Sequence, residues 1–358
     1  MSDDKTRGID ATNRDFLRHD QVVKRQRYRL AEAEGEEAFD DAYAVRTCDM
    51  RLLREGTAAG RRDFAAGLGD ALRDIGFAVL ENTGLDPGLD ERTERNVRRL
   101  FCEPSLETKL RFRARRHGSV NQGYFPLKET SHIHPDLVEG WVFCRRAFDL
   151  GEEACYNPAR FWPLPRLEPE FRDHCLRHLA LVPPLVRSML EYLGVDPHAF
   201  DARLDPASFG LRLNYYPPVT GSDAASGAAR LLGHEDVDLF TLVPAPRVEG
   251  LQVLHRATMK WVRLHPPAGT IVLNTGDYMQ RITNDLFPST THRVSPPRDP
   301  AQRAADRVSF PLNIYLREDD VLEVLPGLGP PKYEPVRAVE FHTRITSKYY
   351  GDEYAADV

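Results

Sequence analysis

The sequence predicts a mainly β fold, a β-sandwich or jelly roll, with helices before and after it. From residue 209 onward, short apolar segments recur at near-regular spacing between Gly, Pro and Asn residues, as in proteins built from many short strands. Before this region, and again after residue 336, apolar side chains recur at helical spacing. The chain has 358 residues, 41% of them hydrophobic, which is enough for one large core.

The elements follow in order along the chain. Residues 1–44 are polar and charge-rich, and we expect a helical extension there. Residues 45–205 form a mostly helical part, with a short strand at 76–80, an irregular stretch at 121–150, and helices at 59–75, 90–100 and 168–193, the last broken or kinked near Pro183 and Pro184. The core covers about 206–320, with strands at 209–215, 231–243, 251–255, 261–264, 270–274, 292–294 and 308–316. A flexible loop at 218–229 and a final helix at about 336–350 complete the prediction.

Composition and charge exclude several classes of protein. The net charge of −6 argues against a nucleic-acid-binding surface, and the basic stretch at 109–116 has a single aromatic residue, Phe112, instead of the several interleaved aromatic residues of such sites. Five cysteines without a Cys-x-x-Cys pair favour a reducing compartment over a disulfide framework. No apolar run is long enough to span a bilayer, and the first residues lack the apolar region of a signal peptide. We therefore expect a cytoplasmic protein without nucleic-acid or membrane partners; its oligomeric state is left open.

A candidate metal site lies in the predicted strand 231–243. His234 and Asp236 stand two residues apart, so their side chains are expected on one face of the strand. Together they supply two of the three ligands of a 2-His-1-carboxylate site, which binds Fe(II) and leaves positions open for other ligands and O2. His292, in a later strand, is the candidate third ligand. A second His-x-Asp, at His134 and Asp136, is weaker because the residues around it show no strand alternation.

Two further patterns concern charged or metal-binding side chains. Arg307 and Ser309 share one face of an apolar strand, and a buried guanidinium beside a hydroxyl suits a carboxylate partner. His174 and His178 lie four residues apart on a predicted helix, a spacing that allows metal binding. Because no acidic residue stands between these two histidines, we favour a packing role for them.

These residues form an ordered set that resembles the isopenicillin N synthase-like group of Fe(II)- and 2-oxoglutarate-dependent oxygenases. Residues 214–217 match the family's Asn-Tyr-Tyr-Pro strand, and residues 274–277, Asn-Thr-Gly-Asp, continue the likeness. The family's iron motif and its Arg-x-Ser pair are matched by His234, Asp236, His292, Arg307 and Ser309. The resemblance covers about residues 46–350, and the first 44 residues lie outside it.

The resemblance implies a double-stranded β-helix, the cupin-like form of the jelly roll, within one oxygenase domain over residues 45–358. It implies Fe(II) bound by His234, Asp236 and His292. It also implies 2-oxoglutarate held at its distal carboxylate by Arg307 and Ser309, with Tyr216 near that end and Asn214 toward the metal. The implied reaction consumes O2 and oxidises an unactivated C–H bond of a small metabolite, as in secondary metabolism. Hydroxylation, desaturation and cyclisation all remain open, each with release of succinate and CO2.

Two other functions also remain open. One is an Fe(II) oxidase without 2-oxoglutarate, in which Arg307 and Ser309 hold a substrate carboxylate; the more remote one is a non-catalytic jelly-roll metal-binding protein. The family's substrate region suggests pocket residues at Gln122, Tyr124, His132, His134, Trp141, Phe143, Phe341, Arg344 and Ile345. Because Arg212 stands beside the Asn-Tyr-Tyr-Pro strand, we expect a substrate with an acidic group.

Overall fold

The computed structural model describes residues 38–117, 120–129, 136–218 and 230–350. Most of the elements predicted for the helical part are present in the structure, and this part also begins with a three-residue strand that was not predicted. Its strands and helices are β1 Thr47–Asp49, α1 Arg51–Arg54, α2 Ala58–Ile75, β2 Phe77–Glu81, α3 Gly88–Cys102, α4 Leu106–Leu110, α5 Glu168–Leu179 and α6 Val182–Tyr192. The break between α5 and α6 falls at residues 180–181, and both prolines lie in the first turn of α6, where a missing N–H costs nothing.

Helix α2 shows how local sequence sets these boundaries. The Thr57 side chain accepts a hydrogen bond from the Gly60 N–H (3.0 Å) at its start, and Gly76 ends it with a left-handed φ of +73°. Its buried face packs on α6 so closely that a Cβ at Gly69 would overlap the ring of Tyr192. Glycine at this position therefore permits the helix pair that covers the sheet.

The remaining strands form two main sheets. They are β3 Arg115–His117, β4 Val120–Phe125, β5 Glu139–Cys144, β6 Ser208–Tyr216, β7 Leu231–His234, β8 Phe240–Pro244, β9 Leu251–His255, β10 Lys260–Arg263, β11 Ile271–Thr275, β12 His292–Val294, β13 Arg307–Ser309 and β14 Leu312–Tyr315. The large sheet has the order β1-β2-β11-β8-β14-β6-β5-β4-β3, with β13 also paired to β6, and the small sheet has the order β10-β9-β12-β7.

Two short helices, a strand pair and a longer final helix follow or interrupt this core: α7 Asp277–Ile282, α8 Pro300–Arg303, β15 Val321–Leu322 with β16 Val336–Arg337, and α9 Ala338–Tyr350. One apolar cluster joins the large sheet to the helices. A second one, with Phe77 and Val272 from the large sheet and Val253 and Val262 from the small sheet, lies between the two sheets. The predicted jelly roll with flanking helices is therefore confirmed.

Several sequence predictions were wrong in detail. The stretch 121–150 is not irregular, because it contains β4 and β5, two strands of the large sheet. The single strand expected at 231–243 is two strands, β7 and β8, which lie in different sheets and are joined by residues 235–239. The strand expected at 308–316 is divided at Phe310 and Pro311, since proline cannot donate to a ladder.

Some predictions fall on residues outside the described ranges. The helical extension lies there except for residues 38–44, which form no helix; instead Phe39 pairs with Trp261 in an isolated bridge. Most of the loop expected at 218–229 also lies there. The division of the chain at residue 45, and of the oxygenase domain into helical part, core and final helix, stays a prediction. No helix among the described residues is long and apolar enough to cross a membrane.

Candidate metal centre and its cavity

The two candidate histidine ligands come from neighbouring strands of the small sheet. His234 ends β7 and His292 begins β12, and the antiparallel register places them directly opposite each other. Their ring centroids are 4.4 Å apart. The sequence predicts Asp236 in the same strand as His234. In the structure Asp236 lies instead in the segment that connects β7 to β8. It nevertheless reaches the same point, so the three predicted side chains come together.

The geometry of the cluster fits one metal ion. The Nε2 atoms of His234 and His292 lie 3.6 and 3.8 Å from Oδ1 of Asp236, and all three ligand atoms lie within 4.8 Å of one another. Two atoms bound to one cation at roughly 2.1 Å stand at most about 4.2 Å apart, close to these distances. His292 Nδ1 donates to the Thr290 carbonyl (3.1 Å), which leaves the lone pair on Nε2. The donor set therefore suits Fe(II).

The second carboxylate oxygen of Asp236 is held by protein donors. Thr241 Oγ1 and Asn274 Nδ2 lie 2.7 and 2.8 Å from Oδ2, which leaves Oδ1 for a metal. Burial raises the pKa of Asp236, but the imidazoles of His292 and His234 and these two hydrogen bonds outweigh burial and keep the pKa below its usual value. Asp236 is therefore ionised and oriented before any metal binds.

The segment carrying Asp236 is fixed by the start of α7. The Asp277 N–H donates to the Asp236 carbonyl (2.8 Å), and the Tyr278 N–H to the Asp238 carbonyl (3.0 Å). A Cβ at Gly276 would lie 2.1 Å from Asp238 Oδ1 and 2.8 Å from the Asp236 carbonyl oxygen. The Asn-Thr-Gly-Asp segment at 274–277 thus has a physical role that the sequence alone did not reveal. The Asn274 side chain and the Asp277 N–H donate hydrogen bonds to Asp236, and Gly276 leaves room for the segment that carries it.

A buried acid beside the centre was missed from the sequence. Burial, and then the charge of Asp236, raise the pKa of Asp238 well above its usual value. Its Oδ2 lies 2.7 Å from Thr241 Oγ1 and 2.8 Å from Asn313 Nδ2. Asp238 therefore holds a proton more readily than Asp236 does, and the two acids share the Thr241 hydroxyl. The Asp-x-Asp spacing in the sequence was the available signal.

The predicted carboxylate anchor is assembled by one pair of strands. In the register of β13 with β6, Arg307 lies opposite Tyr216 and Ser309 opposite Asn214. Asn214 Nδ2 donates to Ser309 Oγ (3.3 Å), and the Arg307 guanidinium lies over the Tyr216 ring at 4.8 Å. Arg307 is 2% exposed; its Nε donates to the Val248 carbonyl (3.2 Å).

Arg307 keeps an unused donor inside the protein. Its Nη1 is buried and has no hydrogen-bond partner among the described residues. Burial lowers the pKa of this guanidinium, an effect that Tyr216 partly opposes. A buried charged donor without an acceptor is costly, so the site is suited to an anion, and a forked guanidinium matches a carboxylate. These observations fit the distal carboxylate of 2-oxoglutarate.

The metal cluster and the anchor open onto one cavity of about 200 Å³. All seven residues predicted for the metal and 2-oxoglutarate line it: Asn214, Tyr216, His234, Asp236, His292, Arg307 and Ser309. Strands from both sheets therefore contribute to a single chamber. A molecule that chelates the metal at one end and binds Arg307 at the other would lie within it.

The predicted substrate pocket was wrong by one position in each strand. Tyr124, Trp141 and Phe143 point into the apolar core, and the cavity is lined by Phe125 and Val142 from the opposite strand faces. On α9 the lining residues are His342 and Thr346, not Phe341, Arg344 or Ile345, and Gln122 does not line the cavity either. His132 and His134 lie outside the described residues. Because 121–150 was interpreted as irregular, no strand phase was assigned to it.

Charged residues also line the cavity wall near β6. Arg212 Nε donates to Asn214 Oδ1 (3.0 Å), and its guanidinium lies 5.8 Å from the centre of the Phe125 ring. Asp136, from the weaker His-x-Asp pattern, is buried and lines the same cavity. The wall therefore carries charges of both signs beside an aromatic face.

Two facing sheets with a His-Asp-His cluster inside them are the features of a jelly-roll non-haem iron enzyme. Comparison with known proteins makes this specific. The sequence profile of the 2OG-Fe(II) oxygenase superfamily matches residues 208–314, and that of the N-terminal part of the non-haem dioxygenases in morphine synthesis matches residues 45–164. The chain belongs to the isopenicillin N synthase-like family of Fe(II)- and 2-oxoglutarate-dependent oxygenases. It is an enzyme whose cofactors are Fe(II) and the co-substrates 2-oxoglutarate and O2, as the sequence predicted.

Individual relatives are distant but cover most of the chain. The 2-oxoglutarate-Fe(II) type oxidoreductase ppzC of Metarhizium majus is 29% identical over 329 residues, covering 83% of this chain and 85% of that protein. A bi-functional coumaroyl CoA and feruloyl CoA ortho-hydroxylase of Ruta graveolens is 27% identical, covering 81% of this chain and 76% of that protein. A full-length Neurospora crassa protein, solved in complex with alpha-KG and thymine, superposes with a TM-score of 0.75 at 23% identity and covers 89% of this chain and 100% of that chain. This likeness confirms the double-stranded β-helix.

Proposed function

We propose that His234, Asp236 and His292 bind the Fe(II) of this oxygenase, and that Arg307 and Ser309 hold the distal carboxylate of 2-oxoglutarate. The observation that carries the proposal is the single cavity in which three convergent ligand atoms face a buried guanidinium with an unused donor. In this arrangement Tyr216 packs against the anchor and Asn214 lies between the anchor and Arg212.

Bound Fe(II) and 2-oxoglutarate supply the activation of O2, with 2-oxoglutarate converted to succinate and CO2. The protein fixes the ligands before this chemistry begins. Asp236 presents one oxygen to the metal because Thr241 and Asn274 occupy the other. Arg307 binds the far end of the co-substrate through a charge-assisted contact in a buried setting, and so sets its direction relative to the metal.

The substrate is proposed to be a small metabolite with an acidic group, and the reaction a hydroxylation. Two features support the substrate class: Arg212 lines the cavity beside Asn214 on β6, and Phe125 and Val142 provide apolar lining in the same cavity. A guanidinium beside an aromatic ring suits a carboxylate carried on an apolar body. Substrate placement by this wall would choose which C–H bond faces the metal.

The same proposal extends to partners and location. The net charge of −6 supports the expectation of no nucleic-acid partner. The five cysteines are all free thiols, which supports a reducing compartment such as the cytoplasm. A role in secondary metabolism and the absence of a membrane partner are retained as part of the proposal.

The test is an anaerobic titration of the full chain with Fe(II) and then with 2-oxoglutarate. The signal measured is the weak visible metal-to-ligand charge-transfer band. We expect the band in the wild type, no Fe(II) binding in Asp236→Ala, and bound Fe(II) without the band in Arg307→Ala. The exposed His265→Ala serves as the control and should behave as the wild type. Wild-type Fe(II) binding without a band would show that Arg307 does not hold 2-oxoglutarate. No Fe(II) binding would overturn the ligand assignment.

A further inference from the structure

A second cluster of metal-binding side chains lies between helices α3 and α5, apart from the residues assigned to Fe(II). Asp90 on α3 and His174 and His178 on α5 each offer a ligand atom, and these three atoms lie within 4.8 Å of one another. We propose that they bind a first-row divalent cation, with Zn²⁺ as the best match to two imidazole nitrogens and one carboxylate oxygen. This proposal does not depend on the iron assignment.

The hydrogen bonds of the two imidazoles fix which nitrogen carries the proton. His178 Nδ1 lies 2.9 Å from the His174 carbonyl, which only accepts, so Nδ1 is the donor. Thr93 Oγ1 donates to the Leu89 carbonyl (3.0 Å), and a hydroxyl has one hydrogen, so it accepts from His174 Nδ1 (3.1 Å). Both Nε2 atoms therefore carry free lone pairs. Orientation of an imidazole ligand by its other nitrogen is typical of metal sites.

These lone pairs are buried without a partner. The Nε2 atoms of His174 and His178 are inaccessible to solvent and make no hydrogen bond within the described part of the chain. A buried acceptor without a donor is destabilising, and here two such acceptors lie beside a carboxylate. Asp90 forms no ion pair with any described residue. Three acceptor atoms thus converge on one point.

Alternative occupants satisfy this cluster less well. One water molecule offers two hydrogens to three acceptors, and a proton on Asp90 offers one. A divalent cation satisfies all three atoms at once. Asp90 is also the partly exposed member, which gives a cation a path from solvent.

The position of the cluster indicates a structural role. The His174 ring packs edge-on against Phe310 with 5.2 Å between centroids, and Phe310 directly follows β13, the strand of Arg307 and Ser309. Helix α3 also contacts β13. A metal joining α3 to α5 would therefore clamp the two helices behind the anchor strand. The sequence-based preference for packing histidines did not include Asp90, which lies far away in the chain.

The test starts from full-length protein carrying Asp236→Ala and His292→Ala, so that the proposed iron site cannot bind. Equilibrium dialysis against low micromolar Zn²⁺, with bound metal counted by elemental analysis, should give one equivalent. Asp90→Asn or His178→Gln added to this background should reduce it to none, and the exposed His265→Gln should leave one. Thr93→Val should weaken binding about 10- to 100-fold through the loss of its acceptor, and Thr93→Ser should restore it.

A second readout avoids the chance that a helix variant fails to fold. In unsubstituted protein, the ¹⁵N signals of His174 and His178 Nε2 should shift on addition of Zn²⁺, while Nδ1 stays protonated. Absence of these shifts, together with no zinc retained by the background protein, would overturn the proposal. Retained zinc that is unaffected by Asp90→Asn and His178→Gln would overturn it as well. The charge-transfer titration is independent of all these outcomes.

Discussion

His292 lies opposite His234 in the antiparallel register of β12 with β7, and this pairing brings the two imidazoles to 4.4 Å between ring centroids. The register is fixed because Val253 and Val294, on the strands around them, are buried in apolar clusters, and a slip of one residue would turn both histidines away. Asp236 joins them from outside the strand. Its placement depends on tertiary hydrogen bonds from Thr241 and Asn274.

Replacing Thr241 by valine should weaken Fe(II) binding about 10- to 100-fold, because Asp236 then loses one of the two donors that orient it. Asn274→Leu should have a similar effect for the same reason. The measurement is anaerobic Fe(II) titration of each variant. Thr270→Val is the matched control, since Thr270 is also buried and donates to a backbone carbonyl away from the cavity. Equal losses in Thr270→Val and Thr241→Val would contradict an orienting role.

Gly276→Ala should lower both the Fe(II) affinity and the free energy of unfolding. A Cβ there would lie 2.1 Å from Asp238 Oδ1, so the segment that carries Asp236 must shift, at a cost of about 1–3 kcal/mol. The backbone at Gly276 has φ −105°, which alanine adopts without strain. The substitution therefore tests only the steric overlap of the added Cβ. Gly67→Ala in α2 is the control: its Cβ would meet nothing within 4 Å, and alanine favours the helix by about 1 kcal/mol. Normal iron binding by Gly276→Ala would disprove this packing argument.

The sequence predicted what depends on local pattern and missed what depends on contacts between distant segments. Strand alternation and the family likeness located His234, Asp236, His292, Arg307 and Ser309, and all of them reach one cavity. Alternation could not show that the chain leaves the small sheet after His234, because residues 237–243, apolar except for Asp238 and Thr241, continue the pattern and lead into another sheet. Asp238 was missed because its burial comes from β14 and α7, which follow much later in the chain.

Arg307→Ala should raise the KM for 2-oxoglutarate strongly, since a buried charge-assisted contact is worth on the order of 2–5 kcal/mol. Arg307→Lys should give an intermediate KM, because lysine keeps the charge but lacks the fork. Ser309→Ala should cost about 1 kcal/mol, a several-fold effect. Steady-state succinate release at varied 2-oxoglutarate measures all three. An unchanged KM in Arg307→Ala would place the distal carboxylate elsewhere.

Stability of the metal-free protein should fall as the pH drops from about 6.5 toward 4. Burial lowers the pKa of His178 and of His342 to about 4, so the unfolded chain takes up protons at these residues before the folded protein does. Each contributes up to about 1.4 kcal/mol per pH unit in this window. Asp90, whose pKa is raised to about 6, acts in the opposite direction and reduces the net slope.

Urea unfolding in EDTA at several pH values tests this prediction. His342→Gln and His178→Gln should each flatten the dependence of the unfolding free energy on pH between 6.5 and 4. Asp90→Asn should steepen it, because the opposing group is removed. The exposed His265→Gln is the control. If the two buried-histidine variants kept the wild-type slope, their imidazoles would not be neutral in the folded protein.

Arg212 provides the sharpest test of the proposed substrate class. If its guanidinium binds a substrate carboxylate, Arg212→Gln should raise the KM for acidic substrates tenfold or more, and Arg212→Lys should recover part of the loss. Arg212 also donates to Asn214, which in turn donates to Ser309, so a substitution could act indirectly on the co-substrate. The KM for 2-oxoglutarate, measured in parallel, separates the two effects: it should stay unchanged if Arg212 contacts the substrate. A screen by succinate release that yields only neutral substrates would exclude the acidic class, and with it this role for Arg212.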